Sequence, residues 1–298
     1  MKGRVTTWSF VGLLALTWLP CAFAQQSGPP RRGITRITGD LYRVQNNDHY
    51  TVFLVTPAGI ILADPINVDA AIWLKAQLAE QFKNVPVRYV LYSHHHQDHA
   101  SGAAVFDDTA ELIAQENFNQ ELRLSSSENA RAAKQYEAVL LPESTYSDRR
   151  TITLGGKTVQ LIHPGPNHSK DMTVLLFPAE RVAFAVDFVA VNWVPGATGV
   201  EKGGITNWIA SLKALESLDF DTLAPGHTSM GKKADVAAHR RYLEDLVAGV
   251  SAGIKAGRTL EQIQASNSFD KYKAWGEFDE DHNPNVETAW RMLTAQQR

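Results

Sequence analysis

The hexapeptide His94-His95-His96-Gln97-Asp98-His99 follows Val87-Arg88-Tyr89-Val90-Leu91-Tyr92 after the single residue Ser93, and the junction between the two decides how the chain is read. β-Branched and aromatic residues predict a buried strand over residues 87–92, which hands the chain to a loop where the histidines begin. Side chains on such a loop are held by a rigid scaffold yet stay open to a substrate. Neutral imidazoles suit zinc, iron or copper, and an added carboxylate favours a divalent or higher ion. Taken alone, the tract is equally compatible with a surface metal scavenger or a solvated loop.

Three distant residues separate these readings. His168 ends Pro164-Gly165-Pro166-Asn167-His168, Asp187 closes the apolar run 182–186, and His227 ends Ala224-Pro225-Gly226-His227. Each follows a strand-like segment, as His94 does, so four strand ends supply metal-ligand residue types. In this the chain resembles the metallo-β-lactamase fold superfamily, whose motif is H-x-H-x-D-H, then a lone His, a lone Asp and a lone His. All seven positions are filled in order, and the resemblance spans roughly residues 39–257.

The resemblance implies an α/β fold of αββα type, two mixed sheets packed face to face between helix layers. It implies that His94, His96 and His168 hold one metal ion, that Asp98, His99 and His227 hold a second, and that Asp187 bridges them. Two zinc ions are the cofactors it implies, with His95 and Gln97 pointing away. At position 187 the established β-lactam hydrolases have Cys or Ser, whereas an Asp is typical of the lactonase, glyoxalase II and phosphodiesterase branches. A carboxylate bridge also admits iron or manganese.

Residues 1–24 read as a secretory signal, with Lys2 and Arg4 at a basic start, an apolar stretch over 8–19 and Ala22-Phe23-Ala24 as cleavage site. The expected location is therefore secreted, in a periplasm. The residues before Cys21 match a lipid-attachment box poorly, and removal of the signal deletes this one cysteine of the chain. The remaining 274 residues (298 minus 24) suffice for one large α/β domain, and no second long apolar run is present to span a membrane. Without the signal's two basic residues the formal charge is −5, from 27 Lys plus Arg against 32 Asp plus Glu. A mildly acidic chain without a basic stripe is a poor nucleic-acid binder, so the expected partner is a small-molecule substrate.

Residues 25–33 are polar and rich in Pro and Gly and read as a disordered lead-in, with the single domain running over 34–298. Strands are expected at 41–44, 51–56 and 59–63, a helix at 68–82, a strand at 109–113 and helices at 116–124 and 129–139. Residues 142–150 read as a loop. Strands follow at 151–154, 158–163, 172–177, 182–186 and 222–224, and helices at 207–218, 232–256 and, packed on the outside, 286–297.

Two ions about 3.5 to 4 Å apart can share a water whose pKa falls toward about 7, so a bridging hydroxide can attack a carbonyl without an activated side chain. This fits the lack of a Gly-x-Ser-x-Gly elbow. Asp98 is the expected catalytic residue, its free carboxylate oxygen aiming that hydroxide while a metal stabilises the oxyanion. The expected activity is hydrolysis of a lactone, ester or amide ring, β-lactams included. Two alternatives are a one-iron sulfur-oxidising enzyme of the same fold and a catalytically silent metal-binding protein; flavodiiron relatives, with Glu where His96 stands, fit less well.

Asp64 reads as an acceptor supporting a ligating histidine, Asp171 as either that or a turn residue, and His163 as a packed histidine. His49, His239 and His282 lack ligand neighbours in sequence and are expected to face solvent. Trp193, in the segment 188–204, is the candidate substrate-binding residue, as an aromatic wall of the pocket.

Overall fold

The computed structural model describes residues 28–83 and 85–295. The signal and the start of the lead-in lie outside the described residues. The body of the fold begins at Arg31.

One sheet holds seven strands in sequence order: β1 (Arg32–Thr38), β2 (Leu41–Asn46), β3 (His49–Thr56), β4 (Gly59–Ala63), β5 (Val87–Leu91), β6 (Glu111–Gln115) and β7 (Ser144–Tyr146). β1 to β4 form an antiparallel meander, and β4 to β7 run parallel. The second sheet has six strands: β8 (Arg149–Leu154), β9 (Lys157–Ile162), β10 (Val174–Phe177), β11 (Val182–Phe184), β12 (Thr222–Ala224) and β13 (Gly231–Lys232). They lie in the order β13-β12-β11-β10-β9-β8, with β11 and β12 parallel.

β4 is buried at every position, the run of apolar residues that a central strand covered on both faces requires. Leu54, Ile61, Leu91 and Ile113 of the first sheet meet Val159, Leu161, Leu175 and Phe184 of the second in a core between the sheets. Outside the first sheet, the helix Val68–Gln81 packs Ala71, Leu74 and Leu78 onto Phe53, Leu62 and Val90. Its start is set by Asn67, whose side chain accepts from Ala70 N–H at 2.9 Å. Outside the second sheet, Trp208 and Leu212 of Ile205–Glu216, Leu243 and Leu246 of Lys233–Lys255, and Val286 and Ala289 of Phe278–Ala295 cover Val174, Ala183 and Leu223. The architecture is thus the expected αββα sandwich. Among the described residues no helix is long and apolar enough to cross a membrane.

Three expectations change. The first strand already starts at Arg32, inside the supposed lead-in, where β1 pairs Arg32 with Asn46 and Ile34 with Val44. The supposed loop 142–150 contains β7 and the start of β8, which the short polar run Ser144-Thr145-Tyr146 hides. It is fixed by distant groups: Ser144 Oγ donates to Glu111 at 2.6 Å, and Arg150 donates to Ser144 Oγ at 2.6 Å. The segment 188–204, read as a pocket wall, also holds a short helix, Ala197–Gly203, with Phe188, Val189, Val194 and Val200 buried. The last helix starts at Phe278, well before residue 286, and carries Pro284 within it; Asp279, Glu280 and Asp281 suit the positive end of its dipole.

Candidate metal centre

The loop after β5 turns at His96 into a single helical turn, Gln97–Ala100, so one short stretch presents four side chains in different directions. His94, His96 and His168 point with Asp187 to one locus, and His99 and His227 point with Asp187 to a neighbouring one. Asp98 joins the second locus from outside, with His227 and His49. Asp187 is common to both. Its Oδ2 lies 3.5 Å from His94 Nε2, 3.5 Å from His168 Nε2 and 3.2 Å from His99 Nε2, and its Oδ1 lies 3.1 Å from His227 Nε2.

The backbone is bent to achieve this. Asp187 has φ 56°, and Phe188 N–H donates across it to Val186 O at 2.6 Å, a tight turn in a region that Asp tolerates better than most residues. Behind the hexapeptide, Ile66 has φ 62°, an outlier for a β-branched side chain, and its N–H donates to His99 O at 2.9 Å. Gly226 admits the last histidine, since a Cβ there would lie 2.9 Å from Asp187 Oδ1 and 2.6 Å from the Val186 side chain. His168 is fixed by its turn, where Asn167 Oδ1 accepts from His168 N–H at 2.7 Å and Ser211 Oγ donates to the carbonyls of Gly165 and Pro166.

The donor set fits a bound cation. His168 Nε2 faces His96 Nδ1 at 3.0 Å, and His99 Nε2 faces His227 Nε2 at 3.0 Å. Imidazole nitrogens that converge this closely need a proton or a cation between or beside them, and with carboxylates alongside the set suits a metal ion. His94 Nε2 and Asp187 Oδ1 are buried without a hydrogen-bond partner, as expected of atoms reserved for an ion.

The titration tendencies of the two loci differ. Burial, reinforced by the neighbouring imidazoles, holds His94 well below the ordinary histidine value and His96 at about 3. Burial likewise lowers His168. Burial also opposes charge on His99 and His227, but there Asp187 leads the carboxylates that outweigh it, raising His99 well above the ordinary value and His227 in the same direction.

Supporting groups surround this centre. Asp64 is fully buried, accepts Ser93 N–H at 2.7 Å and turns its other oxygen toward His99 Nδ1 at 3.5 Å. His95 points away from the cluster into a contact with Asp171 at 3.0 Å, which also accepts from Ser169 Oγ at 2.7 Å. Asp171 thereby anchors the hexapeptide from behind. His163 is a packed histidine, 2.8 Å from Met172 O.

Three histidines expected in solvent are placed otherwise. His239 and His282 are 1% and 4% exposed, on the inner faces of Lys233–Lys255 and Phe278–Ala295. His49 is at the centre itself, its Nε2 3.3 Å from Asp98 Oδ2. In sequence His49 looks isolated, because Asp98 and His227 reach it only through folding.

The centre opens into a cleft of about 500 Å³. His168, Asp187 and His227 line its base, Val189, Trp193, Val194 and Pro195 one wall, and Asp48, Glu277 and Asp281 its rim. Trp193 is 39% exposed and lies over Gly276, where an added Cβ would come within 2.3 Å of the indole. Among the described residues no Lys or Arg lines this cleft.

An αββα sandwich with a His/Asp cluster at its strand ends defines a class of metal-site enzymes. Residues 68–227, which contain all seven candidate ligands, match the sequence profile of the metallo-beta-lactamase superfamily, and the chain belongs to that family. It is similar to the 2,4-dinitroanisole O-demethylase subunit alpha of Nocardioides sp. (strain JS1661), with 27% identity over 78% of this chain and 69% of that one. It is also similar to a linear primary-alkylsulfatase of Pseudomonas sp. (strain ATCC 19151), with 23% identity over 57% of this chain and 40% of the relative. Among solved structures, a metallo-beta-lactamase from Pontibacter korlensis superposes with TM-score 0.61 at 16% identity, covering 72% of this chain and 99% of that one. A stereoselective inverting sec-alkylsulfatase from Pseudomonas sp. superposes with TM-score 0.73 at 16% identity, covering 88% of this chain and 50% of that one. At such identities the superpositions speak for the fold.

Proposed function

We propose that the protein is a dinuclear, zinc-dependent hydrolase acting on an uncharged, largely apolar substrate at an acyl or ether carbon. Lactones, esters and amide rings, β-lactams included, fall in this class, as does an aryl methyl ether like the dinitroanisole of the Nocardioides relative. The observation that carries this reading is Asp187, whose carboxylate belongs to two adjacent ligand groups at once. His94, His96, His168 and Asp187 would hold one ion, and Asp98, His99, His227 and Asp187 the other. When bound, such ions supply a water acidified toward neutral pKa and a Lewis acid for the substrate oxygen. A one-iron sulfur-oxidising enzyme would leave the second group without a purpose.

The side chains do the rest. Asp98 accepts the hydrogen bond of the attacking water and fixes its line of approach. Trp193, Val189, Val194 and Pro195 pack against the apolar part of the substrate and displace water. Beside the bound ions, the described lining of the cleft offers no Lys or Arg to a sulfate or carboxylate, and Asp48, Glu277 and Asp281 would repel one. This favours uncharged substrates over the alkyl sulfates named for the Pseudomonas relatives.

The test is turnover by the purified zinc-loaded protein, with metal content measured alongside. The substrates are a chromogenic β-lactam, a lactone, 4-nitrophenyl acetate, 2,4-dinitroanisole and 4-nitrophenyl sulfate. The expected result is hydrolysis of at least one uncharged substrate, abolished by a chelator and restored by zinc. Asp98→Asn should lower kcat by about 10²- to 10⁴-fold and leave KM nearly unchanged. A protein that binds two ions and hydrolyses none of these substrates would be the silent metal-binding protein instead.

A further inference from the structure

The β2–β3 hairpin, far from every ligand in sequence, touches the second half of the centre through three consecutive residues. Asp48 offers its carbonyl to His227 Nδ1 at 3.1 Å, which requires the proton on Nδ1 and leaves Nε2 as the ligand atom. Tyr50 N–H donates to Gly226 O at 2.7 Å and ties the hairpin to the loop that carries His227. Between them, His49 Nε2 lies 3.3 Å from Asp98 Oδ2, and the His49 ring stands edge-on to His227 with centroids 4.7 Å apart. The same Asp98 oxygen is 3.5 Å from His99 Nε2 and 3.7 Å from His227 Nε2.

Asp98 therefore shares one carboxylate oxygen between His49 and the two histidines of the second locus. A carboxylate on a one-turn helix at the rim, its side chain 32% exposed, has several rotamers open to it. A donor at the oxygen that faces His99 and His227 selects one of them. We infer that His49 is a positioning residue: its Nε2–H donates to Asp98 Oδ2, fixing the carboxylate that ligates the second ion and orients the attacking water. The inference rests on the dinuclear reading, but its consequence for metal binding is measurable without turnover.

The experiment compares the wild type with His49→Ala and His49→Gln by cobalt(II) titration of the metal-free protein, followed by visible absorption, and by steady-state kinetics. Groups that orient a ligand typically change metal affinity or activity by about 10- to 100-fold when removed. The expected result for His49→Ala is an unchanged first cobalt-binding step, a second step weakened about tenfold or more, and kcat reduced by a similar factor with KM within about threefold. His49→Gln, whose amide can still donate, should recover part of both losses. In an Asp98→Asn background, His49→Ala should add little, because the two residues act as one unit. Two results would overturn the inference: cobalt binding and kcat unchanged in His49→Ala, or both cobalt steps and the melting temperature lowered equally in the two variants, which marks a scaffold role. If the wild type hydrolyses nothing, the proposed function fails while the cobalt titration still decides the part played by His49.

Discussion

The two halves of the metal centre are built in opposite ways. The first, His94, His96 and His168, is enclosed: the His94 side chain is fully buried and that of His168 is 21% exposed. Its three imidazoles are kept neutral by burial and by one another. In the second, His99 is fully buried but the Asp98 and His227 side chains reach the rim, 32% and 35% exposed. This half depends on carboxylates and on the β2–β3 hairpin for its geometry. Enclosure makes the first half a preorganised cage, while the second, being open on one side, can admit a substrate and also lose an ion.

Asp187 is where this difference can be abolished. Because its two oxygens reach histidines of both halves, Asp187→Ala should weaken both ions together and lower kcat/KM by roughly 10³-fold or more, the rate equivalent of about 4 kcal/mol. Metal analysis of the purified variant, beside its kinetics, checks this. One ion still bound at wild-type affinity, with activity within tenfold, would show that Asp187 serves a single half.

A gentler perturbation should sharpen the contrast. Under stepwise dialysis against a chelator, the rim ion should leave first. Most activity should disappear with it, and the larger drop in melting temperature should accompany the second ion, whose ligands are deep in the fold and whose binding is coupled to folding. Simultaneous loss of both ions at every chelator concentration would mean that the halves are not energetically distinct.

The first half was more legible in the sequence than the second. His94 and His96 are two residues apart, and His168 ends a Gly/Pro turn, so spacing and turn chemistry expose all three. Asp187 and His227 also stand out, each ending a strand that the apolar runs reveal. The brace formed by Asp48, His49 and Tyr50 is invisible locally, since His227 is 179 residues from Asp48 and only the sandwich brings them together. β7 escaped for a similar reason, its three residues carrying little apolar pattern while Ser144 is held by Glu111 and Arg150 and the strand pairs with the distant β6. His239 and His282 were legible but misread. His239 lies between Val236 and Leu243 on one helix face, and His282 shares a face with Asn285, Val286 and Ala289. For His282 that periodicity appears only when the helix is begun at Phe278.

The smallest expected effect concerns a histidine outside the centre, buried with no carboxylate to hold a proton on it. His282 stacks on Phe278 with centroids 4.4 Å apart, meets the Tyr242 hydroxyl at 3.0 Å through Nδ1, and has Nε2 buried without a hydrogen-bond partner. Burial lowers its pKa from the ordinary 6.5 to about 4. The unfolded chain then binds the proton more tightly than the fold does, so this histidine destabilises the protein as pH falls from 6.5 toward 4 and is neutral in effect above that range. At pH 5.5 the loss relative to pH 7.5 amounts to about 1 kcal/mol. Urea unfolding at the two pH values, in wild type and His282→Gln, isolates it, because the centre's own pH dependence is common to both. The variant should show a shallower fall in stability by about that amount, and an identical fall in the two proteins would mean that His282 titrates in the fold as it does in the unfolded chain.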